Sequence, residues 1–289
     1  MGKNAGDLES DLAGLDALQS AVQTGAGSLR RAWAKTWPPL VAIAAALLVW
    51  QLVVWSGWRP EYALPGPQAV FARLFEDLAS GEILGAARVT LRRALTGYGL
   101  SLVIGGAIGL AVSQSKFLRR AIGSMITGLQ TMPSIAWFPL AVLLFSLSEG
   151  AILFVVVLGA APSVANGLIT GVDHVPPVLL RAGKMLGARG LSSYRHVVLP
   201  AALPSFIGGL KQAWAFSWRS LMAAELLANI GVPRPIGVRL QFARVAGDAE
   251  ALLSTMIVIL VIGILVDLLI FGALTNRIRS RYGLVDAAA

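Results

Sequence analysis

Runs of about 20 mainly apolar residues recur along this chain, and a polypeptide that carries several of them has few folds open to it. The clearest are "PPLVAIAAALLVWQLVVW" at 38–55, "AILFVVVLGAAPSVANGLIT" at 151–170 and "LSTMIVILVIGILVDLLIFGAL" at 253–274. Inside a hydrocarbon layer each backbone N–H and C=O must be satisfied by the chain itself, which leaves helices or a closed barrel. The short alternating segments of a barrel are missing, so the runs predict an all-α polytopic membrane protein. Composition agrees: 56% of residues are hydrophobic, 13% are charged and the mean hydropathy is +0.72, too apolar for an ordinary soluble domain.

About six spans are expected. The others fall near 95–113, 122–147 and 206–228. The second is rich in glycine (Gly97, Gly99, Gly105, Gly106, Gly109), which permits close helix packing. The third is interrupted by Pro133 and Pro139, each of which removes a helical hydrogen bond and favours a kink or two shorter helices. Between the first two spans, "WRPEYALPGPQAVFARLFEDLASGEI" predicts an external loop with a surface helix over about 67–79. Four regions follow: an N-terminal arm at 1–36, a first helix with its external loop at 37–94, a core transmembrane domain at 95–276, and a basic tail at 277–289. The arm spaces Leu8, Leu12, Leu15, Leu18 and Val22 helically among acidic residues, as in a short amphipathic helix.

Six spans place both termini on one side. Arg30, Arg31, Lys35, Lys116, Arg119, Arg120, Arg181, Lys184, Arg189, Arg195, Arg277, Arg279 and Arg281 all fall there, and the bias of Lys and Arg toward cytoplasmic loops makes that side the cytoplasm. The net charge of +9 is thereby accounted for without a nucleic-acid partner. The chain has no cysteine, which excludes disulfides and thiolate chemistry. The first apolar run lacks a small-residue cleavage pattern and is read as a retained anchor of an inner-membrane protein.

One internal loop is both long and basic. Within 172–204, Pro176 and Pro177 suit a helix start, "PVLLRAGKMLG" has helical spacing, Gly187 and Gly190 permit a sharp turn, and "LSSYRHVVL" predicts a second short helix ending before Pro200. This loop resembles the cytoplasmic loop of permease subunits of binding-protein-dependent ABC importers, written E-A-A, three residues, G, nine residues, I-x-L-P. Arg181, Ala182 and Gly183 stand in its first three places, then Gly187, Val197, Leu199 and Pro200 at the expected spacing. Arg181 replaces the glutamate and Gly183 the second alanine. "LPGPQAVF", "QTMPSIAWFPLAVLLF" and "WRSLMAAELL" look like the branch that serves nitrate, sulfonates, taurine and bicarbonate.

The resemblance implies a type I ABC importer permease fold in which the loop is a coupling helix seated on a separate ATPase. It implies as partners a second permease copy, most simply as a homodimer, two cytoplasmic ABC ATPase subunits and an extracytoplasmic solute-binding protein, all working at a lipid bilayer. ATP and Mg would be used by the ATPase and no cofactor by this chain, which has no G-x-x-x-x-G-K-[ST] phosphate loop. The chain is therefore expected to be a transport subunit and not an enzyme. His174 and His196 both lie at the loop, and neither H-E-x-x-H nor G-x-S-x-G occurs.

Charges inside spans are costly and need a partner or a cavity. Lys211 is close enough to the cytoplasmic end to snorkel. Arg219 is deeper, and its planar guanidinium suits a carboxylate or sulfonate in the pathway; pairing with Glu225 or Asp267 is the structural alternative. Trp218, Ser134, Asn166 and Glu225 are further pathway candidates, although tryptophans one turn apart (Trp214 and Trp218) also suit helix packing. A secondary, ion-coupled transporter would use Arg219, Glu225 and Asp267, but it predicts inverted repeats that the sequence does not display.

Overall fold

A computed structural model describes residues 26–231 and 234–282, and every regular element among them is helical. Met1–Gln68 and Ala69–Ala289 separate into two compact units. The first contains α1 (Ala26–Trp55), whose stretch Thr36–Trp55 is apolar enough to cross a membrane. Its tryptophan Trp50 donates from Nε1 to the carbonyl of Pro65 at 3.2 Å, which holds the returning chain against the helix. The amphipathic pattern expected in the N-terminal arm lies, up to residue 25, outside the described residues.

Helix α2 (Pro67–Ala79) coincides with the predicted surface helix and starts on a proline, whose fixed φ and missing N–H suit the first helical position. Then come α3 (Glu82–Gln114), α4 (Lys116–Thr131), a 3₁₀ turn at Ser134–Trp137, α5 (Phe138–Phe145) and α6 (Glu149–Asp173). After α7 (Pro177–Met185), a short turn at Leu191–Ser193 and a π-helical segment at Tyr194–Val198 lead into α8 (Leu199–Leu227). The chain finishes with α9 (Ile236–Ala246), α10 (Ala249–Val266), a π segment at Asp267–Gly272 and α11 (Ala273–Arg281).

Four helices among the described residues are long and apolar enough to cross a membrane, and the α4–α5 pair, bent by 104°, makes a fifth if it counts as one span. The expected sixth is α8, whose 29 residues are long enough but carry Lys211, Arg219 and Glu225. The break in the third span has one cause where two were expected. Pro133 sits in the non-helical link, whereas Pro139 lies in the first turn of α5, where its missing N–H costs nothing.

The core is built around α6, which packs against both α3 and α8. Small residues decide how close these helices come. A Cβ on Gly105 would lie 2.4 Å from the carbonyl oxygen of Ala161, and one on Gly167 would lie 2.6 Å from the Cα of Gly209, so α6 and α8 cross backbone to backbone. Gly97 and Gly109 make similar contacts, but Gly99 and Gly106 face open space and take no part. Beside this crossing, Trp214, Trp218, Leu221, Ile152, Val155 and Phe271 form the main apolar cluster.

Candidate functional site

Three arrangements hold most of the residues singled out by the sequence. The first is the basic loop. Helix α7 ends in a Schellman motif: the amide of Gly187 donates to Lys184 O at 3.1 Å and that of Ala188 to Gly183 O at 2.9 Å. Gly187 has φ +86° and Gly190 φ +53°, a left-handed region that non-glycine residues avoid, so the sharp turn needs both. The predicted second helix does not end before Pro200. It continues into α8 because its last turn widens to π geometry, with Leu199 N–H donating to Tyr194 O. Pro200 lacks the N–H that the continuing helix would use, and the widened turn just before it accommodates that missing donor.

The loop returns onto its own base. Gly183 is buried, and a Cβ there would lie 2.7 Å from Cγ2 of Val197, so two positions of the motif are in contact with each other. That contact gives the glycine at 183 a reason: α7 lies too close to Val197 for alanine. Val175, Val198 and Ala202 pack beneath it, Tyr194 reaches Ser113 O at 3.4 Å, and Tyr282 donates to Pro200 O at 2.9 Å. The tip is different. Met185 is 84% exposed, Leu186 88% and Leu191 80%, and Arg181, Lys184, Arg189 and Arg195 are exposed around them.

The second arrangement is a buried ion cluster that the sequence did not reveal. Glu225 was expected beside a pathway, with Arg219 as its possible partner. Its carboxylate is instead fully buried and accepts from Arg93 Nη1 at 3.0 Å, from the Thr90 hydroxyl at 3.0 Å and from the Gly237 amide at 3.1 Å. Arg93, 2% exposed, also donates from Nε to Glu149 at 2.8 Å, from Nη2 to the second oxygen of Glu149, and to the Ile230 carbonyl at 2.9 Å. Thr90 in turn accepts from Ile236 N–H at 3.0 Å. The cluster therefore ties α3, α6, α8 and α9 at one end of the bundle, with the close approach of α9 allowed by Gly237, whose Cβ would lie 2.5 Å from Glu225 Cβ.

Asp267 and Lys211 answer each other, 2.9 Å apart and both partly exposed, so neither pairs with Arg219. Trp218 is 8% exposed and stacks on Trp214, with centroids 6.2 Å apart and planes 19° from parallel. Arg219, Glu225 and Asp267, the trio of the ion-coupled alternative, occupy three different environments. Asn166 is half-buried on α6.

The third arrangement is a cleft of about 310 Å³ lined by Arg219, Ser134, Gln130, Phe216, Gly159 and neighbours. Arg219 is exposed, with Nε donating to Ala215 O at 3.3 Å and the guanidinium lying 4.8 Å from the Phe216 ring centroid. Thus Arg219 and Ser134 of the predicted set meet, while Trp218, Glu225 and Asn166 stand apart from that cleft.

A model of the family described as "Binding-protein-dependent transport system inner membrane component" matches residues 101–280. The taurine transport system permease protein TauC of Escherichia coli is 29% identical over 252 residues, covering 84% of this chain and 89% of its own length. The nitrate import permease protein NrtB of Synechocystis is 28% identical over 242 residues, covering 79% and 84%. Among solved structures, a chain of the MetNI methionine ABC transporter in an inward-facing conformation superposes with a TM-score of 0.54 over 65% of this chain and 94% of that one, at 17% identity, a likeness of fold.

Proposed function

This chain belongs to the binding-protein-dependent transport system inner membrane components, and we propose that within that family it couples ATP hydrolysis by a separate subunit to import of a small anion. It is a multi-pass ABC importer permease subunit of the type represented by the nitrate and taurine permeases. The finer reading has a homodimeric permease, two cytoplasmic ATPases that bind ATP and Mg, and an external binding protein that delivers solute. Both termini lie in the cytoplasm, on the side of the loop.

The observation that carries the coupling reading is the tip of the 172–204 loop. Met185, Leu186 and Leu191 project exposed apolar side chains from a turn that Gly187 shapes and the Gly183–Val197 contact packs onto its base. Exposed apolar groups grouped at the end of an ordered projection, rimmed by cations, suit a protein groove. Arg181 at the rim asks for an acidic partner residue where the family's glutamate asks for a basic one. ATP moves the transporter only if its bound state contacts the two permease conformations differently, and an ordered projection offers a surface for that contact.

Affinity purification of the tagged chain from its native membrane in mild detergent tests this. An ATPase with a phosphate-binding loop should co-purify with the native chain and be lost with Leu186→Asp and Gly187→Asp. If the native chain emerges alone, under conditions that keep other complexes intact, the coupling reading fails.

A further inference from the structure

Several charged groups of the bundle are paired with one another: Arg93 with Glu149 and Glu225, Lys211 with Asp267, Arg119 with Asp173, Arg239 with Asp77 and Glu82. Arg219 is not. It stands eight residues before the end of a 29-residue helix, so it lies about 12 Å from that end at 1.5 Å per residue. No carboxylate among the described residues pairs with it; its recorded contacts are the Ala215 carbonyl and the face of Phe216. A guanidinium at such depth needs partners or water, and one carbonyl leaves four of its five N–H donors free for an anion.

A second observation, independent of the charge, leads to the same place. The α4–α5 pair breaks at Met132 and Pro133, and the two helices diverge by 104°. Non-helical backbone at membrane depth has to be enclosed by protein or line a water-filled cavity. Met132 is 41% exposed and Ile135 42%, so the chain does not itself enclose the break, and residues 129–135 line the cleft that Arg219 lines from the other side. Gly159, which also lines the cleft, lets Ser134 and Ser220 approach closely: a Cβ there would fall 2.2 Å from Ser220 Oγ and 3.3 Å from Ser134 Cβ.

The face of α8 that bears Arg219 continues the pattern. Ser205, Gly208, Gln212, Ala215 and Arg219, at helical spacing, are all exposed, and none is a large apolar residue. Over α10 and its continuation, by contrast, Met256, Leu260, Ile264, Leu268 and Ile270 are exposed, as a lipid-facing surface requires.

From these we infer that the Arg219–Ser134 cleft is an aqueous anion-binding site within the permease itself, which holds a small oxyanion during passage. The guanidinium offers two parallel N–H donors to a carboxylate, sulfonate or nitrate group, the Phe216 ring restrains it, and Ser134 supplies a hydroxyl on the opposite wall. Leu129, Ile135 and Ala223 leave room beside them for a short apolar tail. The permease would thereby add a charge filter after the external binding protein has released its load. The inference rests on the importer reading for the direction of transport, but the site itself does not depend on it.

The absence of cysteine allows a direct test in the full chain, in its native membrane. Ser134→Cys introduces a single thiol into the cleft, and its modification rate is measured with an anionic (sulfonatoethyl) and a cationic (trimethylammonioethyl) methanethiosulfonate. One nearby fixed cation in an aqueous site should favour the anionic reagent by about tenfold, relative to a single cysteine at exposed Leu147. Arg219→Gln should remove that preference, and millimolar methanesulfonate should slow modification at Ser134→Cys but not at Leu147→Cys. A thiol that does not react overturns the aqueous cleft. A preference unchanged by Arg219→Gln overturns the role of the arginine. If a lipid headgroup occupies the site, methanesulfonate will fail to protect, which overturns the proposal of a soluble oxyanion. None of these results depends on an ATPase, so the site can fail while coupling stands, and the reverse.

Discussion

Removing either charge of the Arg93–Glu225 pair should destabilise the bundle far more than removing both. Glu225→Met deletes the acceptor of three donors, Arg93 Nη1, the Thr90 hydroxyl and the Gly237 amide, in a position with no solvent access. Arg93 keeps Glu149, so the guanidinium is not fully stranded, but the orphaned donors and the broken buried pair should together cost about 3–5 kcal/mol. Arg93→Met strands a buried carboxylate with only Thr90 and Gly237 as donors and should cost a similar amount. In Arg93→Met/Glu225→Met both charges are gone, and Glu149, whose side chain is 45% exposed, can turn to water. The double variant should therefore cost less than either single, which puts it at least about 3 kcal/mol above the sum of the singles, since well-packed apolar groups often replace a buried ion pair at little cost. The assay is thermal or denaturant unfolding of the four proteins at one detergent concentration. Additive losses would refute the claim that the cluster is an interdependent unit.

Other substitutions probe the close contacts. Gly209→Ala should lose about 1–3 kcal/mol by overpacking, because its Cβ would lie 2.5 Å from the Cα of Gly167 and no side chain can yield; unfolding in detergent measures it. Gly183→Ala restores the family's residue but meets Val197, so it should weaken the loop, seen as faster proteolysis at 181–195, and Val197→Ala in the same chain should reverse the effect. Asp267 is held by Lys211 at 2.9 Å as a fixed ion pair, so Asp267→Asn should leave the pH dependence of transport unaltered, measured as uptake against pH. A proton-relay role for Asp267 predicts the opposite.

What could be read from the sequence was what is local. The apolar runs, the surface helix that begins at Pro67, the break at Pro133 and the glycine turn at 187–190 each depend on neighbours within a few residues, and each is present. Partners distant in the chain were not legible. Glu225 and Arg93 are 132 positions apart, and a carboxylate in an apolar helix announces only that it needs a partner. Arg93 was passed over because it precedes the expected second span, whereas α3 begins at Glu82 and carries it into the bundle. Helix α9 was missed for a related reason: Pro235 and Gly247 bracket a segment that reads as loop, and it becomes helical by packing against α8 and α10. The glycines of α3 showed the converse, since five suggested close packing and the helix's orientation put only Gly97, Gly105 and Gly109 toward α6.

The central claim, that the 172–204 loop seats this permease on an ATPase, is tested most directly by cross-linking from its tip. Leu186→Cys places the only thiol of the chain at a side chain that is 88% exposed, where substitution should leave the fold intact. A short thiol-to-amine cross-linker applied to native membranes should join it to an ATP-binding cassette subunit, identified by mass spectrometry, with a yield that changes when ATP is added. Products confined to lipid, or to this chain alone, would contradict the account.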